Sequence, residues 1–130
     1  MFRVASWFSV VAVLVMTLAT LALLTLPRDP LRQPGVTWSW GFLSGYSVRL
    51  LDSGRYVLVD WCDVCVPERT FGTWRETPGG FELQPDSGRP SWRLEHAEYR
   101  GCERLAGPPV VRGGEPLYFR REGDRCEQRH

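Results

Sequence analysis

The segment Tyr46-Ser47-Val48-Arg49-Leu50-Leu51-Asp52-Ser53-Gly54-Arg55-Tyr56-Val57-Leu58-Val59-Asp60-Trp61 reads as a β-hairpin. Two runs rich in β-branched and aromatic residues flank Asp52-Ser53-Gly54. That tripeptide is turn chemistry, with the glycine available for positive φ. The same grammar continues downstream. Arg69–Arg75 reads as a third strand, Thr77-Pro78-Gly79-Gly80 as a turn, and Phe81–Gln84 as a fourth strand. Pro85–Pro90 is a loop. Trp92–His96 alternates again, although residues 91–99 also fit a short helix. Tyr99-Arg100-Gly101-Cys102 either continues that strand or begins another. Ala106–Pro116 reads as a Gly/Pro loop and Leu117–Arg121 as a last strand. Upstream, Thr37-Trp38-Ser39-Trp40-Gly41-Phe42 alternates, so Trp38, Trp40 and Phe42 are expected on one strand face. That face suits a core, and it is also the candidate binding surface. Short strands at this spacing predict a mainly β domain, an antiparallel meander or small barrel-like sheet.

Further upstream the pattern changes completely. Val4–Leu26 holds 23 consecutive residues without a charge. As a helix the run would extend roughly 35 Å, enough to cross a hydrocarbon core of about 30 Å. Its length and the absence of an Ala-x-Ala site favour an uncleaved signal-anchor over a cleaved signal peptide. The hydroxyls of Thr17, Thr20 and Thr25 can bond back to the preceding turn. Pro27, Pro30, Pro34 and Gly35 stop the helix. The expected organisation is a transmembrane helix over residues 1–26, a Pro-rich linker over 27–35 and an extracytoplasmic β domain over 36–130. Positive charge on the two flanks nearly balances. The short N-terminal flank favours an inward N-terminus and an outward domain.

All sixteen basic residues are Arg, and Lys, Ile and Asn are absent. The codons of those three are rich in A and T, so a GC-rich, bacterial source is expected. Beyond the anchor, acids and bases cancel and are interspersed. A nucleic-acid footprint, which needs clustered positive charge, is not expected. The expected partners are the lipid bilayer, through residues 4–26, and another envelope protein. The expected location is the bacterial inner membrane, with the domain in the periplasm or outside.

Cys62, Cys65, Cys102 and Cys126 carry the one clear chemical question. An even count in a small exported domain predicts disulfides, and three pairings are open. The first rival is redox chemistry. Asp60-Trp61-Cys62-Asp63-Val64-Cys65 resembles the Trp-Cys-x-x-Cys site of thioredoxin-like oxidoreductases, whose first cysteine is the nucleophile at a helix N-terminus. Here, however, Val66-Pro67-Glu68-Arg69 leads toward a strand, and Asp63 would raise a neighbouring thiol pKa. The second rival is a metal. Cys62 and Cys65 are half of a zinc spacing, with Cys102, Cys126, His96 or His130 as further ligands. There is no second close pair, so no metal and no other cofactor is expected. No His-Glu-x-x-His, Gly-x-Ser-x-Gly or phosphate loop occurs, and no enzyme is expected.

The run Leu51–Pro85 contains Asp52-Ser53-Gly54-Arg55-Tyr56-Val57-Leu58, then Gly72-Thr73-Trp74, then Gly79-Gly80-Phe81-Glu82-Leu83. In that pattern it resembles small bacterial envelope β-domains of the lipocalin-like, META-like kind. The resemblance implies a small barrel in the cell envelope, and a Cys-x-x-Cys is known in such a barrel. This chain departs by lacking a lipoprotein cysteine. The expected role is therefore a membrane-anchored binding or structural module. The alternative is a thiol-redox or metal-responsive protein using Cys62 and Cys65.

Overall fold

A computed structural model describes residues 4–25 and 29–126. Leu26, Pro27, Arg28 and His130 lie outside the described residues. Helix α1 covers Val4–Thr25. It is apolar on every side, and among the described residues none covers its Trp7–Leu24 stretch. That stretch is long and apolar enough to cross a membrane. The Thr17 hydroxyl donates to the Val13 and Leu14 carbonyls, and the Thr20 hydroxyl to Met16 O at 2.6 Å. These bonds satisfy both hydroxyls inside the helix, as an apolar surrounding requires.

Eight strands follow: β1 (Gly35–Gly41), β2 (Ser44–Leu51), β3 (Arg55–Cys62), β4 (Glu68–Thr77), β5 (Gly80–Pro85), β6 (Trp92–Tyr99), β7 (Cys102–Gly107) and β8 (Leu117–Arg121). Each pairs antiparallel with the next. β1 and β8 close the ring through Trp38↔Arg121 and Ser39↔Arg120. Closure leaves no unpaired sheet edge. The mainly β, antiparallel, barrel-like fold expected from the sequence is the fold observed.

Alternation then decides the core. The registers Trp38↔Val48, Val48↔Leu58 and Leu105↔Phe119 put these side chains on one face, and closure turns that face inward. Tyr56, Leu83 and Leu94 complete the packed middle layers. Each buried side chain of this size contributes about 1.5–3 kcal/mol. Two glycines make room inside. A Cβ on Gly72 would come 2.5 Å from the Tyr56 ring, and one on Gly107 would come 2.8 Å from the Phe119 ring.

Residues 92–99 form the strand that the alternation of Trp92–His96 predicts, and the short-helix alternative falls away. Two neighbouring readings are refined. Arg100 and Gly101 both have positive φ, 52° and 79°, so they form a two-residue hairpin turn between β6 and β7. Ala106 and Gly107 belong to β7 and not to the loop, because the core needs a side-chain-free position beside Phe119.

The segment before the barrel is also ordered. Pro30–Arg32 forms one 3-10 turn, started by Asp29, whose carboxylate accepts the Leu31 N–H at 3.0 Å. Arg49 donates to Gln33 O at 2.7 Å, and the Asp52 N–H to Pro34 O at 3.1 Å. The outward-facing Leu51 and Val57 are buried, and the 3-10 turn packs on β3. Gly35, expected in the linker, is already the first residue of β1.

Candidate functional site

An up-and-down barrel with an even number of strands begins and ends at the same rim. Here that rim carries the entering segment 29–34, the turns at 52–54, 78–79 and 100–101, and the C-terminal residues 122–126. The core stops short of it. A cavity of 690 Å³ opens there, floored by Trp38, which is 7 % exposed, and by the buried Leu50.

One wall of this cup is aromatic. Trp74 and Phe81 meet edge to face at 5.7 Å, and Phe81 and His96 at 5.6 Å. The Trp74 indole N–H donates to Leu51 O at 2.8 Å, which fixes the first ring. The third ring is fixed less firmly, since His96 Nδ1 lies 3.6 Å from the Glu103 carboxylate. The rim is acidic. Asp52, Glu76, Glu103, Glu122 and Asp124 line it, against the single guanidinium of Arg121. Strand register places Glu76 directly across from Phe81. A concave apolar site with a few convergent polar groups is the usual form of a small-molecule site.

The tail that forms one side of the cup is held by specific contacts. Arg104 points out of the barrel yet is only 1 % exposed. Its guanidinium donates to Asp124 and to Glu103 O, each at 2.7 Å. The Asp124 carboxylate also accepts the Cys126 N–H at 2.8 Å. That backbone hydrogen bond, with Arg104 beside it, lowers the Asp124 pKa below its ordinary value. Cys126 is bonded to the buried Cys102, with their Cα atoms 5.8 Å apart.

The opposite rim differs. Cys62, the last residue of β3, pairs there with Cys65 in the loop before β4, Cα–Cα 5.4 Å. Of the three pairings left open by the sequence, the structure therefore has Cys62–Cys65 and Cys102–Cys126. The two pairs occupy opposite rims, so their sulfurs do not converge on one four-thiolate centre. Among the described residues, no three His, Cys, Asp or Glu side chains converge as a metal site. His130, the other suggested ligand, lies outside the described residues. No helix follows Cys65. β4 begins at Glu68, so the thioredoxin-like context is missing.

The candidate face of Trp38, Trp40 and Phe42 does not stay together. Trp38 floors the cup. Trp40 packs inward, stacked on Tyr46 at 6.2 Å. Phe42 falls beyond β1, because Gly41 turns the chain at φ 114°, and it stands 88 % exposed on the opposite rim. The sequence reading missed Trp74, Glu76, Phe81, His96, Glu103 and Arg121 as a group. Trp74, Phe81, His96 and Arg121 lay on strands read from the sequence, whereas Glu76 and Glu103 fell outside the expected strand bounds, and the convergence of all six depends on closure. No protein-family model, curated protein or solved structure matches this chain.

Proposed function

We propose that this protein is a membrane-tethered binding module of the bacterial envelope, which holds a small molecule with an apolar body in the open cup of its barrel. In this reading α1 is an uncleaved signal-anchor in the inner membrane. The barrel lies in the periplasm, where both disulfides persist. The observation that carries the reading is the aromatic-walled cavity of 690 Å³ at one end of the barrel, against 190 Å³ between Tyr46, Tyr56 and Trp92 at the other. Packed interiors leave few voids larger than a water molecule, so a cup of this size is a feature of the surface design.

The test is ligand-observed saturation-transfer NMR on the full-length protein in a non-ionic detergent, with 4-tert-butylphenol as the neutral probe. Transfer to the tert-butyl group that is lost in Phe81→Ala, in a variant that still unfolds cooperatively, is the expected result. Absence of transfer above that of empty micelles, both for this probe and for its isosteric trimethylammonium analogue, sinks the reading.

A second reading, thiol exchange at Cys62 and Cys65, draws on the exposure of their loop, where Val64 is 97 % exposed. Trapping thiols in intact cells with a mass tag distinguishes the two. Four thiols that appear only after reduction support inert bridges, whereas partial reduction confined to Cys62 and Cys65 favours exchange.

A further inference from the structure

The charge at the mouth of the cup is lopsided in a way that the whole barrel is not. Acids and bases balance over the chain beyond α1. At the cup, five carboxylates face one guanidinium. Asp124 is already committed to Arg104 at 2.7 Å. Asp52, Glu76, Glu103 and Glu122 remain without a guanidinium partner among the described residues.

Two of these acids flank the aromatic wall. Glu76 is the cross-strand neighbour of Phe81, and Glu103 lies beside His96. The row Trp74, Phe81, His96 therefore presents π surface between carboxylates, above an apolar floor. Such a wall attracts a cation by its ring quadrupoles, more strongly where water is partly excluded. The flanking carboxylates add Coulomb attraction, focused by the low-dielectric walls of the cleft. An anionic ligand meets the opposite field.

We infer that the ligand of the cup is an organic ammonium ion, an alkylated or primary ammonium group on an apolar body, with the cation set against Trp74 and Phe81 between Glu76 and Glu103. The inference rests on the binding role proposed above and specifies its ligand class. It asks nothing of the opposite rim.

An isosteric pair of probes tests it: 4-hydroxyphenyltrimethylammonium and 4-tert-butylphenol differ in one nitrogen and its charge. Both are titrated into the full-length protein in dodecylmaltoside, a non-ionic detergent, at low and high salt. The cation is expected to bind at least about fivefold more tightly than its neutral isostere. That advantage of the cation over the neutral probe should shrink with salt and in Glu76→Gln and Glu103→Gln. Equal affinity for the two probes overturns the ammonium inference and leaves the binding role standing. Binding of neither, by protein that unfolds cooperatively, overturns both. Competition by choline and by phosphocholine then identifies the source of the ammonium. Choline alone displacing the probe indicates a free ammonium, because the rim carboxylates oppose the phosphate. Equal displacement by both indicates a lipid-type headgroup, with Arg121 taking the phosphate.

Discussion

The two rims of the barrel are built from the same strands and share almost nothing else. At the rim where the chain enters, connections are short and the outer wall is covered by residues 29–34 and 122–126. Arg104 and Cys102 are buried there, and the side chains face a cavity. At the other rim three of the four connections are longer, spanning residues 63–67, 86–91 and 108–116, and the fourth is the two-residue link 42–43. Their tips carry Phe42, Leu43, Val64, Val66, Val110 and Val111, all exposed. The Asp63 N–H donates to Leu43 O at 3.0 Å and ties two of these loops together. The contrast follows from topology. With eight antiparallel strands the start of β1 and the end of β8 fall at one rim, so that rim gains the flanking segments 29–34 and 122–126 to cover it and a long-range disulfide to clamp it.

The disulfides should separate the rims most sharply. Cys102–Cys126 spans 24 positions, and removing it as Cys102→Ala/Cys126→Ala should cost roughly 3 kcal/mol in the chain-entropy model. Cys62–Cys65 spans 3 positions, and its double alanine variant should cost less than about 2 kcal/mol in the same model. Urea unfolding of both variants measures the difference. Equal losses would mean that the clamp at the entry rim does not hold the tail.

Gly107→Ala tests whether the loop rim reaches into the core. The added methyl meets Phe119 and Leu94, so overpacking of about 1–3 kcal/mol is expected. A neutral result in thermal unfolding would show that the Phe119 ring can yield.

Acid should act on the entry rim through Asp124. Its carboxyl titrates below its ordinary value of 3.8 in the fold, held by the Cys126 N–H and by Arg104. A lowered folded pKa gives stabilisation that is complete above the unfolded value, about pH 4, and is lost as pH falls through the folded value. Asp124→Asn should lower stability at neutral pH, where the charged carboxylate holds the Cys126 N–H and Arg104, and flatten the acid limb of the stability–pH curve. An unchanged acid limb would remove Asp124 from the account.

The smallest stability effect belongs to the loop tips. Phe42→Ser and Val64→Ser should change stability by less than about 0.5 kcal/mol, since neither side chain packs on the core. They should still reduce retention on a phenyl column, because they remove exposed apolar surface. A large loss of stability would place Phe42 in contacts that the fold does not contain.

Much of this molecule was legible in the chain. The Asp52-Ser53-Gly54 turn, the alternation on either side of it and the Thr77–Gly80 turn sit where the sequence reading puts them. The β6–β7 hairpin was not legible, because its turn uses Arg100 in a left-handed conformation where Asn, Asp or Gly is the usual signal. Gly107 was misleading for a related reason. Glycine near proline reads as loop, but here the core required a missing side chain. Phe42 continued an alternation that Gly41 had already ended.

The sequence by itself determined the apolar helix, the inward and outward faces of most strands and the presence of four cysteines in a small β domain. These rest on periods and turn preferences that act over a few residues. Only the tertiary structure decided which cysteines pair, why a charged Arg104 is buried on the outside, and that Trp38, Trp74, Phe81, Glu103 and Arg121 share one cup. Those outcomes depend on closing β1 onto β8. Closure is a global condition on strand number and register, and no local stretch of chain carries it.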